Sequence, residues 1–329
     1  MKAAWYERNG KAREVLTIGE MPDPKPAQGE VRVKMRCSGL NPSDVKRREG
    51  TRGQNIEFPR VIPNSDGAGI VDAVGAGVSE NWKGKRVYVW NAQWGRAFGT
   101  CAEYCCLPEA QVAALPDGAD FAAGACLGIP AMTAHQALFS DGGIKNKSVL
   151  VTGGAGAVGH YAIQMAKWGG ARVAATVSSE EKAKLAREAG ADLVINYKTE
   201  DVAKKVLEFA KGGVDRVIEV DFGVNLPINL QIVRTNGSIA SYASMGNPEP
   251  KLPFYQAMRR GLAIDLVFVY MMKPEERAKA LMDLEILLKE NRLKHNVGER
   301  FKLDDLVAAH EAQEGGRVVG NIVVDVARS

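Results

Sequence analysis

The chain has 329 residues, 46% hydrophobic and 25% charged, and 43 basic against 39 acidic side chains leave a formal charge of +4. At roughly 150 residues per domain this favours two domains with substantial cores, and the ordinary composition excludes a disordered or fibrous chain. The small, dispersed positive excess gives no nucleic-acid footprint and tilts only slightly toward small anionic ligands.

No apolar run approaches the roughly 18 residues of a membrane span. Glu7 and Arg8 interrupt the N-terminus before a signal-peptide core forms, so the expected location is cytoplasmic. Cys37, Cys101, Cys105, Cys106 and Cys126 form an odd, uneven set, expected as free thiols. From Met1 to about Pro116, short alternating segments such as E-V-R-V-K-M-R and G-K-R-V-Y-V-W, punctuated by Pro and Gly, predict barrel-like β structure. Within it, C-A-E-Y-C-C from Cys101 to Cys106 reads as one strand. Near Phe121 the texture turns to alanine-rich helix.

From Ser148 onward strand and helix alternate. Strands are expected near Ser148–Thr152, Ala171–Thr176, Asp192–Ile195, Val214–Val220, Gly237–Ser241 and Ala263–Phe268. Six strands joined by helices specify an α/β, doubly wound parallel sheet of the dinucleotide-binding type. A long amphipathic helix follows from Pro274 to about Asn291. The tail G-N-I-V-V-D-V reads as a last strand, and lacking a partner in the α/β segment it is expected to return to the N-terminal β domain.

The sharpest local motif is V-L-V-T-G-G-A-G-A-V-G-H, where a strand enters Gly154-Ala155-Gly156-Ala157-Val158-Gly159 and a helix follows. Glycines there permit a tight turn, close approach to a pyrophosphate and close helix–strand packing, and the helix N-terminus meets the phosphate. A merely structural turn is the plainer alternative; strand before, helix after and a further β-α-β unit favour binding. An NAD site places a carboxylate at the end of the second strand, but here that strand ends A-A-T-V-S-S. With no acid at Val177 or Ser178, the Ser178 hydroxyl and Lys182 one turn later favour a 2′-phosphate, hence NADPH over NADH. The competing reading of Lys182 is a solvated helix lysine partly offset by Glu180 and Glu181.

With C-S-G-L-N-P-S-D (Cys37 to Asp44), P-N-S-D-G-A-G-I-V (Pro63 to Val71), G-I-P-A-M-T-A (Gly128 to Ala134), the glycine turn and A-G-A-D-L-V-I-N-Y (Ala189 to Tyr197), the chain resembles the zinc-independent NADPH:quinone oxidoreductase, or zeta-crystallin, group of the medium-chain dehydrogenase/reductase superfamily. The resemblance implies a chaperonin-10-like β-barrel catalytic domain from 1–125 and 269–329, an NADPH-binding Rossmann domain from 126–268, a substrate cleft between them and a homodimer or homotetramer. Where alcohol dehydrogenases of the superfamily carry a zinc-binding cysteine and a histidine–glutamate pair, this chain has Asn41 and Ser65-Asp66. An amide and a hydroxyl cannot replace a thiolate and an imidazole, so no metal is expected. The structural-zinc cysteines are absent as well.

The same resemblance assigns Asn41 and Thr133 to the nicotinamide end, Gly154 to Gly159 to the pyrophosphate, Ser178, Lys182 and Tyr197 to the adenosine phosphate, and Tyr242 and Phe268 to the nicotinamide surroundings. The plainer alternatives are a turn opener for Asn41 and strand-end packing for Tyr242 and Phe268. Two departures bear on chemistry. The family's D-T-Y-I-R becomes D-V-K-R-R, placing Lys46 where a tyrosine stands, and Asn321 replaces a lysine that approaches the cofactor. The run Lys46-Arg47-Arg48 with Arg52 reads either as an attraction for acidic substrates or, preferred here, as a charged surface helix. Trp90 to Gly99 is either an aromatic wall for a planar ring or a loop packed over the barrel. His135, His160, His295 and His310 have no ligand spacing and are expected at helix-surface or loop positions.

These readings converge on NADPH-dependent quinone reduction, with Asn41 as the catalytic side chain orienting the acceptor. Without a Lewis acid the acceptor must already be electrophilic. The enzyme alternative is an alkenal, enone or acrylate-type double-bond reductase. The alternative of another class is an NADPH-binding structural or RNA-binding protein, disfavoured by modest charge and the lack of an interleaved basic–aromatic stretch.

Overall fold

A computed structural model describes residues 1–51 and 55–326. The chain divides into two compact units, one of Met1–Pro130, Leu284–Asn291 and His295–Ser329, the other of Ala131–Asp283 and Arg292–Lys294. Arg52 lies outside the described residues.

The first unit is built on the strand Glu30–Leu40, whose alternating Val31, Val33 and Met35 are fully buried. Because side chains alternate with a period of two, one face of this strand supplies the core while Arg32 and Lys34 face outward. The strand pairs antiparallel with Asp66–Val74, with register breaks between Arg32 and Val33 and between Met35 and Cys37. Such bulges bend a strand and raise its twist, and its two halves accordingly take different second partners. Glu30–Lys34 pairs with Tyr104–Pro108, and Cys37–Leu40 with the C-terminal strand Asn321–Asp325. That last strand also pairs in parallel with Val297–Lys302. The enclosed core includes Ile62, Val71, Val87, Val89, Leu107 and Val324. The helix Leu306–Glu314 lays Leu306, Ala309 and Ala312 against it.

The second unit carries, among the described residues, a six-stranded all-parallel sheet. Its strand order is Leu193–Asn196, Arg172–Val177, Ser148–Val151, Val214–Glu219, Val233–Ser241, Ala263–Leu266. The α/β, doubly wound Rossmann arrangement expected from the sequence is present, with all six strands within a few residues of their expected positions. Ala157–Trp168, Glu180–Glu188, Val202–Phe209, Phe222–Ile232 and the short Phe254–Arg259 are the intervening helices among the described residues. The order in which successive strands are added reverses at the strand Ser148–Val151, the switch point at which such sheets hold ligands at the carboxyl ends of their strands. The core is aliphatic on both faces: Leu150, Ala174, Ile195, Val217 and Ile239 are buried together on one, with Val206 packed against them, and Val149, Val151, Ala175, Ile218 and Ala240 are buried on the other, as a sheet covered by helices requires.

Close backbone approach fixes one position in the first unit. A Cβ on Gly39 would lie 2.1 Å from the Ala125 carbonyl oxygen and 3.2 Å from the Asp66 Cβ. Gly39→Ala is therefore expected to lower stability by about 1–3 kcal/mol, read as a fall in the urea midpoint. An unchanged midpoint would show that the backbone there gives way freely.

Candidate active site

In the first unit the site forms where the strand Glu30–Leu40 hands over to the helix Pro42–Glu49. Asn41 is the N-cap, with extended backbone, and Pro42 opens the first turn. Its backbone N–H donates to Asp44 Oδ2 at 2.8 Å and its Nδ2 donates to Asp66 Oδ2 at 2.9 Å. The same Asp66 oxygen accepts from the Ile129 N–H at 2.7 Å, while Oδ1 has no hydrogen-bond partner and rests against Gly128, where a Cβ would lie 2.1 Å away. Thr100 Oγ1 donates to the Asp66 carbonyl oxygen at 2.6 Å and lies 2.7 Å from Ser38 Oγ. Asn41, Asp44, Ser65 and Asp66 are all buried.

Burial dominates the electrostatics of both carboxyls. Desolvation pushes the Asp44 acid up to about 7, opposed by the Asn41 N–H and the Arg47 charge. It raises Asp66 well above the ordinary carboxylate range, opposed first by the Ile129 N–H.

The arginine run departs from the expected charged surface helix. Arg48 is completely buried, donating to the Gly10 carbonyl oxygen and to Glu314. A guanidinium enters an interior only when paired and hydrogen-bonded, and the helix Leu306–Glu314 supplies that pair from 266 positions downstream. Trp90 is buried beside Tyr88, at 5.9 Å between ring centroids, whereas Trp94 is half-exposed. Thus Trp90 packs into the barrel, and Trp94 alone of the two is accessible. Asn321 is buried and donates through Nδ2 to the Asn296 carbonyl oxygen at 3.0 Å.

In the second unit the glycine turn has the division of labour that phosphate binding requires. Gly154 and Gly159 are packing glycines: a Cβ on Gly154 would meet the Ala175 Cβ at 2.9 Å, and one on Gly159 the Gly153 carbonyl oxygen at 2.3 Å. Ala155 is buried beside them. Gly156 is exposed at the N-cap of the 12-residue helix Ala157–Trp168, and Ala157 and Val158 are partly exposed in its first turn. The first amides of a helix lack intrahelical acceptors and carry the positive end of its dipole. The cradle therefore fits a pyrophosphate.

One strand over, Ser178 follows Arg172–Val177, and Lys182 Nζ donates to Ser178 Oγ at 3.0 Å. The Ser179 side chain caps the next helix through the Lys182 N–H. Glu180, expected to offset Lys182, instead bonds Arg187 at 2.5 Å, which holds its carboxyl below the usual range. Asn196 is registered against Val177, and the Tyr197 N–H donates to the Val177 carbonyl oxygen at 3.1 Å. Ser178, Lys182 and Tyr197 thus share one corner. Tyr242 ends the strand Val233–Ser241, its phenol raised by burial, and Phe268 follows the edge strand half-exposed, its ring 5.4 Å from Tyr270. Thr133 is buried in the helix Met132–Phe139.

Glu219 is the residue that motif reading passed over. It is fully buried at the carboxyl end of the central strand and accepts from Thr152 Oγ1 at 3.0 Å, the Asp221 N–H at 2.6 Å, Asn225 Nδ2 at 2.8 Å and Asn229 Nδ2 at 2.7 Å. Thr152 leads directly into the glycine turn, so this carboxylate ties the turn to the helix Phe222–Ile232. The sequence signal was an acid inside the apolar run V-I-E-V. Other surface or strand expectations are corrected by burial. His135 is interior, 2.7 Å from Asp283; His160 is interior, 3.0 Å from Gln164; and His310 is fully buried. Cys101 precedes, rather than joins, the strand Tyr104–Pro108. Among the described residues no three His, Cys, Asp or Glu side chains converge as a metal site, and no helix is long and apolar enough to cross a membrane.

Comparison with known proteins follows the same division. Residues 157–285 match the family model of the zinc-binding dehydrogenases and residues 27–117 that of the alcohol dehydrogenase GroES-like domain. A quinone oxidoreductase of Pongo abelii is 31% identical over 303 residues, covering 91% of this chain and 89% of its own length. An NADPH-dependent alkenal/one oxidoreductase, chloroplastic, of Arabidopsis thaliana is 36% identical over 209 residues, 61% of this chain and 54% of its own. Among solved structures, an NAD-dependent alcohol dehydrogenase superposes with a TM-score of 0.89 at 29% identity, covering 99% of this chain and 100% of that one. A mycobacterial protein complexed with NADPH superposes at 0.86 with 30% identity, covering 99% of each chain.

The raised Asp44 acid has a consequence for stability. The folded state holds its proton more tightly than the unfolded chain, so the contribution of Asp44 to stability declines as pH rises from about 4 to about 7 and levels off above, against the opposite contribution of His135, His295 and His310, whose imidazoles burial lowers. Asp44→Asn keeps an oxygen for the Asn41 N–H and is expected to make that decline shallower, Asp66 supplying what remains. Urea midpoints from about pH 5 to about pH 8 measure it; an unaltered slope would mean that Asp44 is ionised throughout.

Proposed function

Because the chain belongs to the quinone oxidoreductase family of the medium-chain dehydrogenase/reductases, we propose that it reduces quinones with NADPH and without zinc. The observation that carries the cofactor half is the corner at Ser178, Lys182 and Tyr197, where a hydroxyl and an ammonium are already bonded to each other and no carboxylate ends the strand. A 2′-phosphate gains charge-assisted bonds there, whereas the ribose diol of NADH finds no carboxylate to hold it.

NADPH, when bound, supplies hydride from carbon 4 of its nicotinamide. The amides from Gly154 to Gly159 hold the pyrophosphate, and Thr133, Tyr242, Phe268 and Asn321 are proposed for the nicotinamide side. Asn41 is proposed to bind the accepting oxygen. One Nδ2 hydrogen is engaged by Asp66, which fixes the amide plane, and the other is the one proposed to bond the acceptor. An amide, the Ser65 hydroxyl and a carboxylate already bonded to that amide make a poor zinc donor set. Rate then comes from positioning, and the acceptor must be electrophilic in its own right. A conjugated alkenal or enone satisfies the same requirement, and the Arabidopsis relative favours it as the second reading. A homo-oligomer is also proposed, because the edge strand Ala263–Leu266 leaves one side unpaired among the described residues, with Leu266 and Met271 strongly exposed beside it.

NADPH oxidation should be fastest with ortho- or para-quinones, slow with simple ketones and insensitive to chelator. Lys182→Ala should raise KM for NADPH about tenfold and leave that for NADH unchanged. Enone-only turnover selects the second reading; NADH preference or zinc dependence sinks the first. Leu266→Lys should lower the mass in sedimentation equilibrium if the edge strand is an interface, and the same mass in both proteins would exclude that edge.

A further inference from the structure

Two consecutive arginines on the helix Pro42–Glu49 have opposite fates. Arg48 is buried against the carboxylates of Glu314 and Glu49. Arg47 is half-exposed and, among the described residues, forms no ion pair within 4 Å, its charge reaching the buried Asp44 only at longer range. Its guanidinium carbon lies 5.0 Å from the centroid of the Trp94 ring, and its Nη1 donates to the Gln93 carbonyl oxygen at 2.7 Å and to Gln93 Oε1 at 2.8 Å. Gln93 is itself buried and anchored through Nε2 to the Arg96 carbonyl oxygen at 3.1 Å. The nearest acid on the same helix, Asp44, is turned inward onto the Asn41 N–H.

We infer that Arg47, held over the Trp94 ring, is an anion-recognising arm beside Asn41, and that the acceptors this chain prefers are planar conjugated carbonyls bearing a carboxylate or sulfonate. The inference deepens the proposed quinone chemistry and rests on it.

The geometry supports each part. Both Gln93 oxygens accept from Nη1, so the Nε–Nη2 edge, the edge that grips an oxyanion with two parallel N–H bonds, has no acceptor among the described residues. Stacking on an indole and bonding to a buried glutamine remove the rotamer freedom that an arginine normally loses on binding. The arm also belongs to the Asn41 neighbourhood. Asn41 is bonded to Asp66; Ser65 next to it accepts the Ala92 N–H at 3.0 Å; Ala92 leads to Gln93; and Gln93 holds Arg47, on the helix that Asn41 caps. This circuit closes within one unit. Six residues of helix separate Asn41 from Arg47, about 9 Å along the axis, a span suited to a two- or three-ring acceptor with an acidic substituent.

The test compares phenanthrenequinone with its ring sulfonate, NADPH held saturating. The wild-type enzyme should show kcat/KM about tenfold higher for the sulfonate, falling as salt is raised. Arg47→Gln should erase that preference, raising KM for the sulfonate about tenfold more than KM for the neutral quinone, and Arg47→Lys should restore only part of it, since an ammonium lacks the planar two-donor edge. Equal rates on both quinones in the wild type, or an equal fall on both in Arg47→Gln, would overturn the inference. Naphthalene sulfonate, which cannot be reduced, supplies a readout independent of turnover. Its quenching of tryptophan fluorescence should weaken about tenfold in Arg47→Gln. Sulfonate binding that depends on Arg47, in a protein that reduces no quinone, would keep the arm and overturn the quinone reading. Quinone turnover without Arg47-dependent binding would do the reverse.

Discussion

A buried carboxylate with N–H groups gathered on one of its oxygens organises the first unit. Asp66 opens its strand opposite Gly39, and its side chain takes the Asn41 amide and the Ile129 backbone while its carbonyl takes Thr100. Three separate stretches of chain are thereby located by one residue. Desolvating an acid is costly; hydrogen bonds from groups that would otherwise be unsatisfied offset part of that cost, and the acid stays raised well above the ordinary carboxylate range. Remove the carboxylate and Asn41 loses the contact that sets its plane. The glycine at 128 exists for the same reason, since any side chain there would collide with Asp66.

The second unit repeats the device at Glu219. Four donors from a strand end, a helix and the following turn converge on one carboxylate. The glycine turn is consequently shaped by the protein's interior as well as by its own glycines. In both units the polar hub sits at the end of a strand, where backbone groups are no longer claimed by the ladder.

Much of this was legible in the residues. Periodicity and punctuation located the six parallel strands, because β-α-β texture leaves few topologies open. Gly154, Gly156 and Gly159 could be read because glycine spacing reports directly on backbone contacts. What escaped were properties fixed by distant partners. Arg48 looks like a surface charge until the helix Leu306–Glu314 supplies Glu314, and His135 looks like one until Asp283 arrives from 148 positions away. Glu180 and Lys182 seem to compete, yet Arg187 settles the matter within a single helix. The difference between Trp90 and Trp94 lies in a turn at Asn91, whose φ of 54° redirects the chain.

The corner formed by Ser178, Lys182 and Tyr197 stands apart from both hubs. Its side chains are partly or largely exposed, and the core beneath it begins only at Val177. Nothing in the packing of the sheet depends on which hydroxyl, cation or ring occupies it. The coenzyme choice proposed for this corner is thus separable from the scaffold and open to redesign by a few surface exchanges, whereas Asp66 and Glu219 are locked in by the burial and hydrogen bonds around them.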